Sequence, residues 1–377
     1  MSITQGHRIQ HGKHVARPAR TLALVAVTLC GLLVSSPFPR AADTPIRLTA
    51  GCPTDIGISP GWNLTEPDAD LKKDLQSARN LGAKTFRFDL DWSVVEQVPG
   101  VYDWTLTDRM ANAVAANGMK PLAVVGFTPE WARMPGTTSS HSAPTDPSAF
   151  AAFANRAAGR YAKIITDWEI WNEPNISASW APTPDPVAYT QLLSLAAAGI
   201  RAAQPSANII AGALSPASDS VPGQVHPLTF TQAIYANGGK NSFNTLSIHP
   251  YTFPALPTDP ATSWWSTFQQ VPLIRNVMVT NGDSSKPIWF TEFGAPTGSS
   301  PDSVTPAFQS QCLSDGIKAA RKLSYVKKTL IYSLRDAGTD VTDREQNFGL
   351  LYNNFTAKPA YATVRSLARP GILFLSC

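Results

Sequence analysis

Histidine and cysteine are scarce in this 377-residue sequence, with six of one and four of the other. No CxxC pair occurs, and beyond residue 42 only His141, His226 and His249 remain, far apart in the chain. A zinc site or a histidine-built metal centre is therefore not expected. No glycine-rich phosphate loop is present, so no nucleotide-type cofactor is expected either. The chain carries 31 basic and 27 acidic residues. The basic excess is confined to one end. Residues 1–42 hold Arg8, Lys13, Arg17, Arg20 and Arg40 and no acid; removing these five leaves 26 basic against 27 acidic residues. So nearly neutral a body offers no basic face to nucleic acid or to an anionic membrane.

The first 42 residues have the pattern of an export leader. Their basic residues precede the apolar run Leu22–Val34, and the small residues Ala41 and Ala42 mark a cleavage region. That run is shorter than the roughly 20 residues a membrane-spanning helix needs; an uncleaved N-terminal anchor is the alternative. Cys52, Cys312 and Cys377 lie beyond the leader. An exported protein commonly carries a disulfide. Cys52 with Cys377 is the leading pair, since both ends of a closed barrel reach one face, and Cys312 with Cys377 stays open.

Residues 43–377 show no low-complexity tract and no internal repeat. Strand-like runs at 55–59, 85–92, 120–127, 165–173, 208–214, 245–251, 287–293 and 329–336 are separated by helical patterns. The spacing predicts helices over 68–81, 108–117, 147–161, 186–204, 228–237, 264–281, 306–323 and 357–368. Eight alternations of strand and helix predict a single-domain (β/α)8 TIM barrel. An open doubly wound sheet is the runner-up, but its glycine-rich first turn is missing.

The strands are two-faced. In "TFRFDLDW", Thr85, Arg87, Asp89 and Asp91 share one face and Phe86, Phe88, Leu90 and Trp92 the other. In "TLSIHPY", Thr245, Ser247, His249 and Tyr251 oppose Leu246 and Ile248. Apolar faces are expected to pack outward under the helices, leaving polar faces to line the barrel. The loops after strands three, four and six are long and rich in proline, and they carry Trp131, Trp180, Trp264 and Trp265. Such rings can stack on sugars or simply pack the loops.

Two glutamates stand at strand ends: Glu173 in "DWEIWNEPN" and Glu292 in "WFTEFG". In a barrel both would open at one mouth, where facing carboxylates can work on a glycosidic bond. Glu169, on the same face of that fourth run and four residues before Glu173, is expected to be a buried structural partner.

"WNEPN" and "WFTEFG", with Arg87 on strand two and His249-Pro-Tyr251 on strand six, resemble clan A glycoside hydrolases, most closely families 39 and 5. "VVEQVPGVYDW" and "NFGLLYNNFTAKPAY" resemble family-39 segments. The resemblance implies a retaining glycosidase acting on a β-linked oligosaccharide or polysaccharide, with Glu173 as acid/base and Glu292 as nucleophile. Arg87 and Tyr251 would keep Glu292 ionised, and Asn172 would bind the sugar 2-hydroxyl. His249 would bind sugar or orient Glu173. Trp131, Trp180 and Arg335 complete the expected substrate-binding set. Where many members carry a tryptophan after strand eight, this chain reads "YSLRD". A raised Glu173 pKa, carboxyl groups about 5–5.5 Å apart, no metal and a monomeric, secreted protein are expected. A non-catalytic sugar-binding protein on the same scaffold, or a surface adhesin, are the competing classes.

Overall fold

The computed structural model describes residues 54–61 and 64–369. The leader, Cys52 and Cys377 lie outside the described residues. Eight strands close a parallel barrel: β1 Asp55–Ser59, β2 Thr85–Asp91, β3 Lys120–Gly126, β4 Asp167–Ile170, β5 Asn208–Leu214, β6 Thr245–Ile248, β7 Ile288–Phe293 and β8 Val326–Tyr332. β1 pairs with β8 from Asp55↔Lys328 to Ser59↔Tyr332, which seals the ring. The expected TIM barrel is the fold observed.

Helix starts follow from local chemistry. Asp146 accepts from the Ser148 N–H and Asp185 from the Val187 and Ala188 N–H groups, each followed by a proline that has no N–H to lose. Thr305 does the same for Pro306–Lys322. The first long helix, Asp68–Leu81, stops at Gly82, whose φ of 105° gives its N–H to the Ala78 carbonyl. Phe86, Phe88 and Leu90 are buried in the main core, outside the barrel wall.

The lumen is less polar than the strand pattern suggested. Leu122, Val124, Ile210, Trp289 and Leu330 form a separate buried cluster within it. Register explains this: Arg87 pairs with Leu122 and Asp89 with Val124, so polar inward residues of β2 sit beside apolar ones of β3. Toward the strand starts, Lys328 Nζ donates to Asp167 at 2.9 Å and lies 3.8 Å from the Trp289 ring centroid. Asp167 also accepts from Asn208 at 3.0 Å. At this N-terminal end of the barrel, such contacts hold the fold.

Candidate active site

The tail of β4 turns sharply. Trp171 has φ 70° and Glu173 φ 49°, a left-handed backbone that side-chain-bearing residues seldom adopt. Neighbouring contacts hold it there. The Trp171 N–H donates to Val125 O at 2.9 Å and its indole N–H to Ser179 O at 2.7 Å. The Glu173 N–H donates to Ala213 O at 3.1 Å. Ala213 is available because β5 bulges there: Gly212 takes φ 105°, and a Cβ on it would stand 2.8 Å from Ser247 O. Asn175 ties the same turn to the next loop through the Ser215 and Val225 carbonyls. Each residue of "WNEPN" that bonds here therefore has its own task.

Arg87 crosses the lumen from β2. Nε donates to Glu169 at 2.6 Å, Nη1 to Glu292 at 2.5 Å and to Ser59 at 3.2 Å, and Nη2 to Asn172 at 2.7 Å. Glu169 is fully buried, so it acts as the counter-ion of Arg87, as expected. With its oxygen accepting from Arg87, Asn172 keeps its amide N–H groups for the cleft. Glu292 receives a second donor, the Tyr251 hydroxyl, at 2.7 Å. Burial and the Glu292 charge hold the Tyr251 hydroxyl far above its ordinary pKa, so it stays a donor.

Glu173 has a different partner. His249 Nδ1 lies 2.9 Å from Glu173 Oε1 and 3.4 Å from Glu292 Oε2. Glu173 is the hydrogen-bond partner; while its carboxyl is ionised it accepts, and Nδ1 then carries the proton. Burial pushes the Glu173 carboxyl up, but the His249 hydrogen bond and charge, the Ser215 hydroxyl and Arg87 together leave it below the ordinary carboxylate value. That corrects the expected upward shift: the apolar setting exists, and His249 outweighs it.

Glu173, His249 and Glu292 each offer a donor atom within 4.8 Å of one another. Residues scattered in the chain are thus brought together into a set of metal-ligand type. Their hydrogen bonds already account for the grouping, since Glu292 uses both oxygens on Arg87 and Tyr251. Around them opens a cleft of about 450 Å³, lined by Arg87, Asn172, Glu173, Tyr251, Glu292, Tyr332 and Trp265 among others.

The structure places Arg87, Asn172, Glu173, His249, Tyr251 and Glu292 together, and it moves three expected residues out. Arg335 lies away from the cleft, bonded to Asp74 at 2.8 Å and Glu66 at 2.7 Å, because the chain after β8 folds back onto the helix Asp68–Leu81. Trp180 is 2% exposed and packs edge-on to Trp171, so no face is free. Trp131 is 38% exposed, but its indole N–H donates to Glu96 O and its ring meets Trp92. Trp265 lines the cleft instead, with the 80%-exposed Trp264 beside it. Asp89, His141, Ser215, Phe253, Tyr332 and Phe348 are cleft residues outside the expected set. Asp89 carried a signal in its place on the polar face of β2, and Tyr332 in opening the "YSLRD" string that stands where many members have a tryptophan.

A closed parallel barrel with two facing glutamates at the ends of its fourth and seventh strands is the arrangement that the motifs' resemblance to clan A implies. No protein-family model and no curated protein matches the chain. Solved structures do match it. A family 39 glycoside hydrolase from the gut symbiont Bacteroides cellulosilyticus WH2 is similar at 25% identity and TM-score 0.70, over 84% of this chain and 63% of that one. A monomeric beta-xylosidase from Caulobacter crescentus CB15 matches at 19% identity and TM-score 0.65, over 85% of this chain and 70% of the other. A GH5_18 protein from Streptomyces cattleya, in complex with GlcNAc, matches at 17% identity and TM-score 0.66, over 85% and 80%. This chain thus spans less than two thirds of the family 39 protein's length. The resemblance to families 39 and 5 read from the motifs is carried by the fold as well.

Proposed function

We propose that this chain is an exported, monomeric, retaining glycoside hydrolase that cleaves a β-linked glycan by double displacement. Glu292 is the nucleophile and Glu173 the acid/base. The observation that carries the reading is the close, unequal pair of carboxylates, with oxygens within 4.8 Å and different partners. An approach of oxygens this close favours the retaining separation of about 5–5.5 Å between carboxyl groups over the roughly 6.5–9.5 Å of an inverting enzyme.

In the first step a Glu292 oxygen attacks the anomeric carbon, the bond to the leaving-group oxygen breaks, and Glu173 gives that oxygen its proton. Arg87 and Tyr251 keep Glu292 charged and aimed. A bound sugar displaces water from Glu173 and strengthens the burial that pushes its pKa up. In the second step Glu173 takes a proton from water, whose oxygen attacks the same carbon and releases Glu292. Asn172 donates to the 2-hydroxyl as charge develops on the ring. The family resemblance and the neighbours, among them proteins named as a beta-xylosidase and an exo-beta-1,4-mannosidase, support a β-linked substrate. Export rests on the leader pattern of residues 1–42; among the described residues no helix is long and apolar enough to cross a membrane.

A screen of aryl β-glycosides and cell-wall polysaccharides with reducing-end detection tests the reading. Release from at least one β-linked substrate, lost in Glu292→Ala, is expected. A folded protein that binds such glycans and cleaves none would be a sugar-binding protein on this scaffold.

A further inference from the structure

In the cleft the strong charges are paired, with one exception. Every nitrogen of Arg87 holds a partner. Glu292 holds Arg87 and Tyr251, and Glu173 holds His249. At the rim Arg344 pairs with Asp302 at 2.8 Å and Glu345 at 2.9 Å. Asp89 also lines the cleft, partly buried, and among the described residues no side-chain or backbone donor bonds its carboxylate. Burial, only partly offset by Arg87, pushes it up to about 7. A carboxyl so placed lacks donors.

The location says what those donors would be, given the glycosidase reading on which this step rests. Arg87 bonds both Glu292 and Asn172 from beneath. A ring with C1 over Glu292 and its 2-hydroxyl at Asn172 must therefore lie above Arg87. The next inward residue up β2 is Asp89, about 6.6 Å nearer the mouth at two residues along a strand. On the β3 side its neighbour is Val124, whose side chain has no donor. His141 donates its Nδ1 proton to Ala178 O at 2.9 Å. This side of the cleft is acceptor-rich, and its guanidiniums are taken.

We infer that Asp89 is a specificity-determining residue that accepts hydrogen bonds from hydroxyls of the sugar over Glu292, so that the cleft takes a neutral glycone and rejects a uronic acid. A neutral pyranose brings O–H donors to the orphan carboxylate. A uronate brings a second carboxylate, and among the described cleft residues both guanidiniums, Arg87 and Arg344, already hold partners.

The test uses p-nitrophenyl 1-thio-β-glycosides of glucose, xylose and glucuronic acid, which bind without being cleaved, with calorimetry as the readout. At a pH well above 7, where Asp89 is ionised, the wild-type protein should bind a neutral probe at least roughly 10²-fold more tightly than the glucuronide, since like charges brought together cost several kcal/mol. Asp89→Asn should weaken neutral binding by about 10- to 100-fold, the scale of one charge-assisted hydrogen bond, and narrow the gap to the glucuronide. Thermal melts show whether the variant is folded, and Asp89→Ala serves as a second variant; if neither folds, the wild-type ratio alone decides. Glucuronide binding equal to or tighter than neutral binding overturns the inference, as does wild-type affinity in Asp89→Asn or no binding of any probe. Selective, Asp89-dependent binding in a protein that cleaves no O-linked glycoside would leave this inference standing and overturn the hydrolase.

Discussion

One imidazole nitrogen stands beside both glutamates but bonds only one: His249 Nδ1 is 2.9 Å from Glu173, its hydrogen-bond partner, and 3.4 Å from Glu292. The proton needed by the leaving group therefore belongs to a hydrogen-bonded pair and not to Glu173 alone. Because that bond helps hold the Glu173 carboxyl low, its protonated fraction is lost at a lower pH than an ordinary carboxyl in such a pocket would show. The alkaline limb of kcat/KM is expected on the acid side of neutrality. His249→Gln removes the charge and leaves burial dominant, so the limb should move to higher pH. A limb that stays put, or moves down, in pH–rate profiles of the two proteins contradicts this coupling.

The two glutamates should fail differently when truncated. Glu292→Ala should nearly abolish turnover on every substrate, and azide entering its vacant space should yield a glycosyl azide of inverted configuration. Glu173→Ala should still react with dinitrophenyl glycosides, whose leaving groups need little protonation. On natural glycosides it should lose about 10²-fold or more, the scale of acid–base assistance. Azide should then give the retained anomer. Product configuration by NMR checks both; the same anomer from both variants would reverse or void the assignment.

Metal independence is expected although Glu173, His249 and Glu292 are grouped like ligands. A divalent ion there would have to displace Arg87 or Tyr251 from Glu292. Activity should survive exhaustive chelation; loss on chelation with recovery on adding a divalent ion would show that the three are ligands.

Stability and catalysis should separate along the barrel axis. Lys328→Met leaves Asp167 buried and without its ion-pair partner at the N-terminal end. It should cost about 3–5 kcal/mol of stability, read by urea titration, with kcat/KM close to wild type in the folded fraction. A large fall in kcat/KM without loss of stability would mean that this end of the barrel reaches the chemistry.

Cys312 is buried, and burial pushes its thiol up to about 12. It should resist alkylation in the native protein and react once the chain is unfolded. Mass mapping of the Cys312 peptide checks this, and rapid native labelling would contradict the packing around the helix Pro306–Lys322.

Much of this architecture was legible in the chain because its signals are local. The predicted helices at 68–81 and 147–161 match the structure, since an Asp-Pro start or a glycine stop fixes their ends. β4 was not legible to its end. The apolar run suggests a strand to residue 173, yet the strand stops at Ile170, because Trp171 and Glu173 adopt left-handed backbone that contacts from β3 and β5 impose. The tryptophans show the same limit. Composition marks Trp131, Trp180 and Trp265 alike, and only packing decides that Trp180 is interred while Trp265 faces the cleft. Arg335 looked available from β8, but its partners Asp74 and Glu66 lie about 260 residues earlier.

Arg87 touches Ser59 at the end of β1, Glu169 within β4, Asn172 just past it, and Glu292 on β7. One guanidinium thus spans the lumen as a spoke joining three strands to its own. The place of Glu292 is thereby tied to the diameter of the barrel, while Glu173 hangs on His249 from β6 and its neighbours. A change in the roundness of the ring would thus be felt at one carboxylate before the other.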